Sequence, residues 1–340
     1  MMKTVEEEKD IIQNARAAFA RQTGMTAEVI GRQDARRLVL RVHGKRLNLV
    51  PEVKAALSIT NAMLPLIRHN QPQKFILVTR YVTGIMADKL RENGIQFMDE
   101  AGNVFINHPP LYIFNRGEKN PALAKVPAVG RAFKQTGIRV LYVLLCNPGV
   151  ENEPYRTMAA KADVALGMVN WVMQELKELG FLLVMGKRRG RELRLVNKER
   201  LLERWVTAYA EQLRPKLVLG RYRGAAGWWK DRELNPERAQ WGGEVAAAKL
   251  TGHLNPQEIT VYADKNNLAA VLIPNKLQKD PEGDVELLHR FWRAEAIPPN
   301  RDMVHPILIY ADLMATGNQR NLETARMIYD QHIVQLVRET

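Results

Sequence analysis

The fold of this chain is decided by residues 130–196, GRAFKQTGIRVLYVLLCNPGVENEPYRTMAAKADVALGMVNWVMQELKELGFLLVMGKRRGRELRLV. Apolar side chains repeat at helical spacing from Ile138 to Leu145 and stop at Asn147-Pro148-Gly149, which predicts a helix over residues 136–146. Further on, one apolar face and one polar face predict a helix over residues 168–179, capped by Gly180.

A short helix and a hairpin complete this motif. Tyr155-Arg156-Thr157 opens a helix that we expect to reach Asp163, and residues 164–167, which include Gly167, predict the turn before the last helix. Two apolar runs, residues 181–184 and 193–196, flank a basic segment and predict a two-stranded hairpin. Together these elements predict a winged helix-turn-helix, a fold that places one helix in a DNA groove.

The predicted motif offers two groups of side chains to DNA. Asn170 and Gln174 on the last helix can pair with adenine edges, whereas Trp171 either contacts a thymine methyl group or packs against the wing. The cationic hairpin tip can reach phosphates or the minor groove. The predicted DNA-binding residues are Arg156, Lys161, Asn170, Trp171, Gln174, Lys177, Lys187, Arg188, Arg189 and Arg191.

The positive charge of the chain is concentrated around this motif. Residues 128–230 hold 19 basic and 9 acidic side chains, whereas residues 231–340 hold 12 basic and 16 acidic ones, in a chain of net charge +13. A local basic field on a fold that fits a groove is typical of nucleic-acid binding. The alternative that stays open is a winged helix that contacts only proteins.

Length and composition predict a multidomain globular protein of mixed α/β class. The chain has 340 residues, 46% of them hydrophobic, and its start is acidic with no apolar stretch long enough for a signal peptide, so we expect a cytoplasmic protein. Scattered histidines and a single cysteine predict neither a metal nor a cofactor. The expected domains are an α/β domain at 1–120, the winged helix at 128–198, a helix and basic/aromatic linker at 199–230, and an α/β domain at 231–340.

The N-terminal domain carries the pattern of an enzyme as an alternative function. Asp34 lies upstream of Glu52-Val53-Lys54, which matches the Asp…Glu-x-Lys spacing of restriction-endonuclease-like metal nucleases. Two carboxylates would hold Mg²⁺ and the lysine would lie near the attacking water. We expect Pro51 to disturb the strand that should present the pair. A restriction-endonuclease-like sheet without activity is the preferred interpretation, and an Mg²⁺-dependent nuclease or resolvase of a mobile element is the alternative.

The linker and the C-terminal domain hold two weaker signals. Arg221-Tyr222-Arg223 and Trp228-Trp229-Lys230 interleave basic and aromatic residues, which suits either a nucleic-acid clamp or packing onto the next domain. Trp241-Gly242-Gly243-Glu244 precedes a helix and the strand 259–262, an order known from nucleotidyltransferases. Because a single Asp264 replaces the Asp-x-Asp pair that holds two metals, a degenerate nucleotidyltransferase-type domain without activity is expected.

Four segments together carry a family resemblance. They are MADKLRENGIQFMDEAGNVFI (residues 86–106), WVTAYAEQLRPK (205–216), WGGEVAA (241–247) and HPILIYADLMATGNQRNLETA (305–325). The chain resembles the AbiEi family of type IV antitoxins, transcriptional regulators associated with abortive phage infection and mobile elements. The resemblance implies a winged-helix repressor of its own toxin operon. The implied partner is a nucleotidyltransferase-like toxin that is counteracted without a tight complex. Better-known members carry the winged helix at the N-terminus, whereas here it is central.

The sequence therefore predicts a non-enzymatic, sequence-specific DNA-binding regulator that acts as an antitoxin in phage defence. Its expected partners are double-stranded operator DNA with inverted repeats and, functionally, the toxin. An interaction scaffold is the third hypothesis, and it predicts no DNA affinity at moderate salt.

Overall fold

The computed structural model describes residues 2–31, 36–42, 45–55, 57, 62–63, 74–109, 111–118, 130–185, 192–297 and 302–338. The chain divides into two compact units, Met1–Ala128 and Val129–Thr340. Both units combine helices with β-sheets, so the prediction of a mixed α/β chain is confirmed. The finer division of the second unit into three parts stays a prediction.

The first unit is built on a seven-stranded sheet in sequential order. Its described elements are α1 (Met2–Thr23), β1 (Ala27–Ile30), β2 (Arg37–Val42), β3 (Lys45–Lys54), β4 (Phe75–Thr79), α2 (Gly84–Glu92), β5 (Phe97–Asp99), β6 (Val104–His108) and β7 (Leu111–Asn115). Strands β3, β4 and β5 are parallel neighbours, and the other pairs are antiparallel.

Helix α1 covers one face of this sheet. Its apolar residues Ile11, Ala15 and Phe19 follow helical spacing and are buried in one cluster with strand residues such as Leu40 and Val78. Burying one such large apolar side chain contributes about 1.5–3 kcal/mol, so this face supplies much of the stability of the unit.

The expectation that Pro51 interrupts the strand is wrong. Strand β3 runs on to Lys54, and it changes neighbours at the proline: residues 45–49 pair with β2, whereas residues 50–54 pair with β4. Pro51 therefore lies where the strand has a ladder partner on one side only. A residue without an N–H is tolerated in a sheet at such a position.

The second unit begins with three helices and a hairpin, then a long broken helix. These elements are α3 (Gln135–Cys146), α4 (Tyr155–Ala162), α5 (Leu166–Glu178), β8 (Leu182–Met185), β9 (Glu192–Leu195), α6 (Lys198–Ala208), a π turn (Tyr209–Leu213) and α7 (Arg214–Leu217). The observed bounds of α3, α5 and the hairpin lie within about two residues of the predicted ones, the usual uncertainty of element ends.

The rest of the second unit is a five-stranded sheet with helices. Its elements are β10 (Val218–Arg223), β11 (Ala239–Gly242), α8 (Gly243–Thr251), β12 (Ile259–Ala263), α9 (Ala269–Leu272), β13 (Gln278–Lys279), β14 (Val285–His289), α10 (Pro306–Thr316), α11 (Gln319–Ile328), a second π turn (Tyr329–Ile333) and α12 (Val334–Val337). The strand order is β11-β12-β14-β10-β13, and β12 and β14 are parallel.

Part of the expected linker belongs to this sheet. Residues 218–223 form β10, which lies between β14 and β13, so the prediction of a linker over these residues is wrong. Tyr222 is buried, whereas Arg221 and Arg223 reach carboxylates at the border of the sheet. Gly220, Arg221 and Arg223 are more typical of a loop than of a strand, so the sequence did not predict β10.

None of the described helices combines the length with the apolar composition that crossing a bilayer requires.

Candidate nucleic-acid interface

Helices α4 and α5 are joined by the three residues Asp163–Ala165. Asp163 ends α4 in the left-handed conformation, with φ of 52°. The short side chain of aspartate tolerates this conformation better than most residues, so no glycine is needed there. The turn thus lies earlier than expected, and Gly167 belongs to the first turn of α5.

One face of α5 is held in the core and the opposite face is exposed. Its buried residues are Val169, Val172, Met173 and Leu176. Asn170, Trp171, Gln174 and Lys177, four of the predicted DNA-binding residues, are all exposed. The structure therefore presents amide, indole and ammonium groups together on a helix whose back is fixed by packing.

Trp171 is covered on one face by an arginine. The Arg131 guanidinium lies over its ring, 4.4 Å from the centroid, and half of the indole is exposed. The Glu175 carboxylate accepts the Ala132 N–H at 2.9 Å and so fixes the short helical turn that carries Arg131. A cation that covers an aromatic face keeps Arg131 beside the exposed surface of α5.

The two predicted cations on α4 have different surroundings. Arg156 is exposed, whereas Lys161 Nζ lies 2.8 Å from Glu153 Oε1 in an ion pair that is only partly buried. Such a surface pair is worth no more than about 1 kcal/mol. A phosphate group can therefore compete with Glu153 for this lysine.

The hairpin is anchored at its base. Asn152 accepts the Leu193 N–H at 2.7 Å and donates to the Leu193 carbonyl at 2.9 Å, while Leu182 and Leu195 pack inward. The four predicted cations of the tip, Lys187, Arg188, Arg189 and Arg191, lie outside the described residues.

An aromatic stack joins these helices to the five-stranded sheet. Trp205 on α6 lies between Tyr142 and Tyr209, with ring centroids 5.5 and 5.3 Å apart and planes inclined by 15° in both cases. Its Nε1 donates to the Ile138 carbonyl at 2.9 Å. Because all these rings are buried, α3 and the sheet share one core.

A buried polar cluster lies at the end of this stack. The Asp312 carboxylate of α10 accepts hydrogen bonds from the Tyr209 and Tyr262 hydroxyls at 2.7 and 2.8 Å, and from the Gly243 N–H at 3.1 Å. Burial, followed by the Asp312 charge, raises the pKa of both phenols well above its usual value, so they remain donors. Asp312 is thus fully engaged within the protein.

Arg214 neutralises this cluster. Its Nε lies 3.2 Å from Asp312 and its Nη2 lies 2.7 Å from Glu286. Burial lowers the pKa of the guanidinium, but Asp312 and the other groups around it outweigh this effect and raise the pKa.

A second buried carboxylate, Glu244, forms a separate cluster. It is paired with Arg320 at 2.9 Å and accepts a hydrogen bond from the Asn321 amide at 2.8 Å.

Sequence reasoning missed both carboxylate clusters as sites. Apart from Tyr262 and Glu286, their members come from the segments 205–216, 241–247 and 305–325, which carried the family resemblance but gave no sign of being in contact. The remaining segment contains a similar feature, since Asp99 accepts four backbone N–H groups and the Asn103 amide in the β5–β6 turn. The family-like residues therefore include buried polar contacts that hold the fold together.

The structure also accounts for the two weaker signals. Arg221 and Arg223 are paired with Glu258 and Asp280 at the surface, and Trp228 packs on Trp241 with centroids 5.4 Å apart, which favours the packing alternative for Trp228. A side chain at Gly242 would meet the Tyr262 ring at 2.5 Å. Gly242 thus makes room for Tyr262 and Asp312, and Gly243 makes room for Thr260.

The nuclease pattern is represented by two of its three residues. Glu52 and Lys54 lie on β3 with Oε1 and Nζ 3.3 Å apart, and Asp34 lies outside the described residues. Within the described part of the chain, no three His, Cys, Asp or Glu side chains are grouped so that they could hold a metal ion.

Comparison with known families finds a match for part of the second unit. Residues 194–334 match the AbiEi_2 family, described as a transcriptional regulator and AbiEi antitoxin of a type IV toxin-antitoxin system. The predicted resemblance is therefore confirmed over this stretch. It contains the five-stranded sheet and both carboxylate clusters, whereas α3, α4 and α5 precede it. No curated protein and no solved structure matches the chain significantly.

Proposed function

We propose that this protein is a sequence-specific DNA-binding transcriptional regulator and the antitoxin of a type IV toxin-antitoxin system. In this proposal α3 to β9 form a winged helix that binds an operator of inverted repeats, and the protein represses its own operon. It counteracts a nucleotidyltransferase-like toxin without forming a stable complex with it. The observation that carries the proposal is the exposed polar face of α5.

The chemistry of that face suits base recognition. Asn170 and Gln174 are exposed four residues apart on α5, hence on one face, and each can form a pair of hydrogen bonds with an adenine edge. Lys177 lies two turns from Asn170, is exposed, and forms no ion pair within the described part of the chain, so it can meet a phosphate group. We therefore assign sequence reading to the two amides and part of the affinity to the lysine.

The four cations of the hairpin tip supply the remaining affinity in this proposal. Each phosphate that a cation neutralises releases counterions and adds about 0.9 to the slope of log affinity against log salt. A tip of four cations beside the reading helix predicts tight binding at low salt and a steep loss at higher salt. Sequence preference, in contrast, depends on α5.

The antitoxin part of the proposal rests on the family match. The matched stretch, residues 194–334, follows the proposed winged helix and carries the two carboxylate clusters. Because Asp312 and Glu244 are satisfied internally, we assign them a structural role and no catalytic one.

The decisive experiment measures fluorescence anisotropy of a labelled duplex with the full chain. One duplex comes from the region upstream of the coding sequence and a second has the same bases in scrambled order, both over salt concentrations of about 50–200 mM. We expect Asn170→Ala to weaken binding to the first duplex by about tenfold and hardly to change the second. The double variant Arg188→Glu, Arg189→Glu should weaken both and lower the salt slope by about 2.

The matched control is Lys276→Glu, since Lys276 is an exposed cation elsewhere in the second unit. It should leave both duplex affinities close to those of the parent protein. Parent-like binding by Asn170→Ala and by the double variant would show that α5 and the hairpin are not the DNA surface. No affinity for either duplex at moderate salt would favour the scaffold hypothesis.

A second candidate function is an Mg²⁺-dependent nuclease. The observation in its favour is the contact between Glu52 and Lys54 on one face of β3, at the end where β4 and β5 run parallel to it. Supercoiled plasmid incubated with the protein and Mg²⁺ should stay intact if the chain is a regulator only. Nicking that disappears in Lys54→Ala would establish the nuclease instead.

A further inference from the structure

A large cleft in the second unit opens where two parallel strands end. Asp264 follows β12, and His289 and Arg290 lie at the end of β14; all three line a cavity of about 930 Å³. Crevices outside the carboxyl ends of parallel strands are where sheets of this kind bind ligands. The volume suits a small organic ligand.

The opposite wall belongs to the helices of the proposed DNA-binding motif. Lys161 and Asp163 of α4 and its turn line the cleft, together with Asn147 after α3. Asp163 Oδ2 also lies 3.9 Å from Arg139 Nη1 of α3, and its Oδ1 lies 3.9 Å from Arg293 Nη2, so long surface ion pairs link the turn between α4 and α5 to α3 and to the wall that carries Arg293. A ligand in this cleft would therefore touch the turn that positions α5.

Two cations in the cleft have no carboxylate partner within 4.0 Å in the described part of the chain. Arg290 donates from Nη1 and Nη2 to the carbonyls of Pro236 and Glu237 at 2.8 and 2.6 Å, which fixes its guanidinium plane without neutralising it. Lys265, on the short turn after β12, is exposed. A fixed guanidinium and an ammonium group without an ion-pair partner suit an anionic ligand.

His289 provides an unused polar atom. Its Nδ1 is buried and forms no hydrogen bond of good geometry among the described residues, although the Ala263 carbonyl lies near the ring. Burial, followed by the charges of Lys265 and Arg139, lowers the pKa of this imidazole, which favours the neutral ring. In this form Nδ1 can either donate a hydrogen bond to a ligand or accept one from it. Buried polar atoms are normally satisfied, and an open one inside a cleft points to a missing partner.

The lining is of mixed sign, with four basic and four acidic side chains besides His289. A simple inorganic anion would gain from the cations but would meet the carboxylates of Asp264 and Glu237. A nucleoside phosphate satisfies both, since its phosphates need cations while its ribose hydroxyls and base amino groups need acceptors.

We propose that this cleft binds a nucleoside phosphate, with its phosphates on Arg290 and Lys265 and its sugar or base on Asp264 and Glu237. Because α4 forms one wall, occupancy changes the position of α5 and with it the affinity for DNA. The second statement rests on the proposed function, whereas the binding itself does not.

The test is isothermal titration calorimetry of the full chain with ATP, GTP, adenosine and inorganic phosphate. We expect saturable binding of ATP or GTP and much weaker binding of adenosine and of phosphate. Lys265→Gln should weaken nucleotide binding about tenfold. The matched control Lys276→Gln should leave it unchanged. Lys265→Gln is preferred to Arg290→Gln because Lys265 is exposed and its loss leaves the fold intact.

The outcomes separate the statements. Absence of nucleotide binding, binding that Lys265→Gln does not weaken, or phosphate that binds as tightly as ATP overturns the proposed site. If nucleotide binds but DNA anisotropy changes less than about threefold on its addition, the coupling through α4 is wrong and the site stands. If the chain binds no DNA at all, the proposed function fails while calorimetry still decides on the cleft.

Discussion

Replacement of Asp312 by asparagine tests whether the buried polar cluster holds the second unit together. The substitution keeps the size of the side chain but removes its charge and replaces one acceptor oxygen by an N–H donor. Oδ2 of Asp312 accepts the Gly243 N–H at 3.1 Å and Oδ1 accepts the Tyr209 hydroxyl at 2.7 Å, so whichever oxygen becomes an N–H group leaves a buried donor facing another donor. Arg214 would keep only Glu286 as its carboxylate partner.

The expected magnitude follows from these contacts. A buried donor that loses its acceptor costs about 1–3 kcal/mol, and removing one partner of a buried ion pair costs about 3–5 kcal/mol. Glu286 remains as a partner of Arg214, and the asparagine oxygen can still accept a hydrogen bond. We therefore expect the free energy of unfolding to fall by about 3 kcal/mol, the lower end of the ion-pair range. For a unit of this size that corresponds to a fall in melting temperature of about 6–12 °C.

Tryptophan fluorescence during urea or thermal unfolding of the full chain measures this loss. All six tryptophans, the first of which is Trp171, lie in the second unit, so the signal reports on that unit alone. Asp231→Asn, at an exposed aspartate, is the matched control and should unfold like the parent. Combined with Tyr262→Phe, the Asp312→Asn loss should be less than additive. An Asp312→Asn midpoint indistinguishable from that of Asp231→Asn would refute the argument.

Two further predictions concern stability. Burial lowers the pKa of His305 from 6.5 to about 4, and its Nδ1 accepts the Ile307 N–H at the start of α10. The unfolded chain binds more protons between these pH values, so stability is complete above pH 6.5 and falls toward pH 4 by no more than about 3 kcal/mol. In His305→Asn the side chain can still cap α10 but does not titrate, so its unfolding midpoint should fall less than that of the parent between pH 6.5 and pH 4. An equally large fall in both proteins would contradict this prediction. Trp205→Phe keeps an aromatic ring in the stack but removes the hydrogen-bond donor to the Ile138 carbonyl. We expect the free energy of unfolding, measured in the same assay, to fall by about 1 kcal/mol. An unchanged free energy of unfolding would contradict this prediction.

Local patterns predicted the elements around α5 well because each element has its own signal. The apolar face of α5, from Val169 to Leu176, follows helical spacing closely, and Gly180 has a positive φ of 75° at the end of the helix. Short-range order of this kind is present in the sequence. The position of the turn was missed because Asp163 takes the left-handed conformation in place of a glycine.

Contacts over long sequence distances could not be predicted in the same way. Tyr209 and Asp312 are 103 residues apart, and Tyr262 and Asp312 are 50 apart, so no local period relates them. Strand β10 was missed because Arg221 and Arg223 are polar, and the partners that accommodate them, Glu258 and Asp280, follow much later. Tertiary partners override local preference at such positions.

The proposed DNA-binding helices and the stretch that matches the antitoxin family lie in the same compact unit and share a core. The aromatic stack from Tyr142 through Trp205 to Tyr209 connects α3 with the stretch that matches the antitoxin family. Residues 231–340 hold more acidic than basic side chains, so within the second unit the electrostatic field favours a polyanion near residues 128–230 and disfavours it near residues 231–340. In the proposed function this field favours a duplex at α5 and the hairpin and leaves the acidic part of the same unit for a different partner.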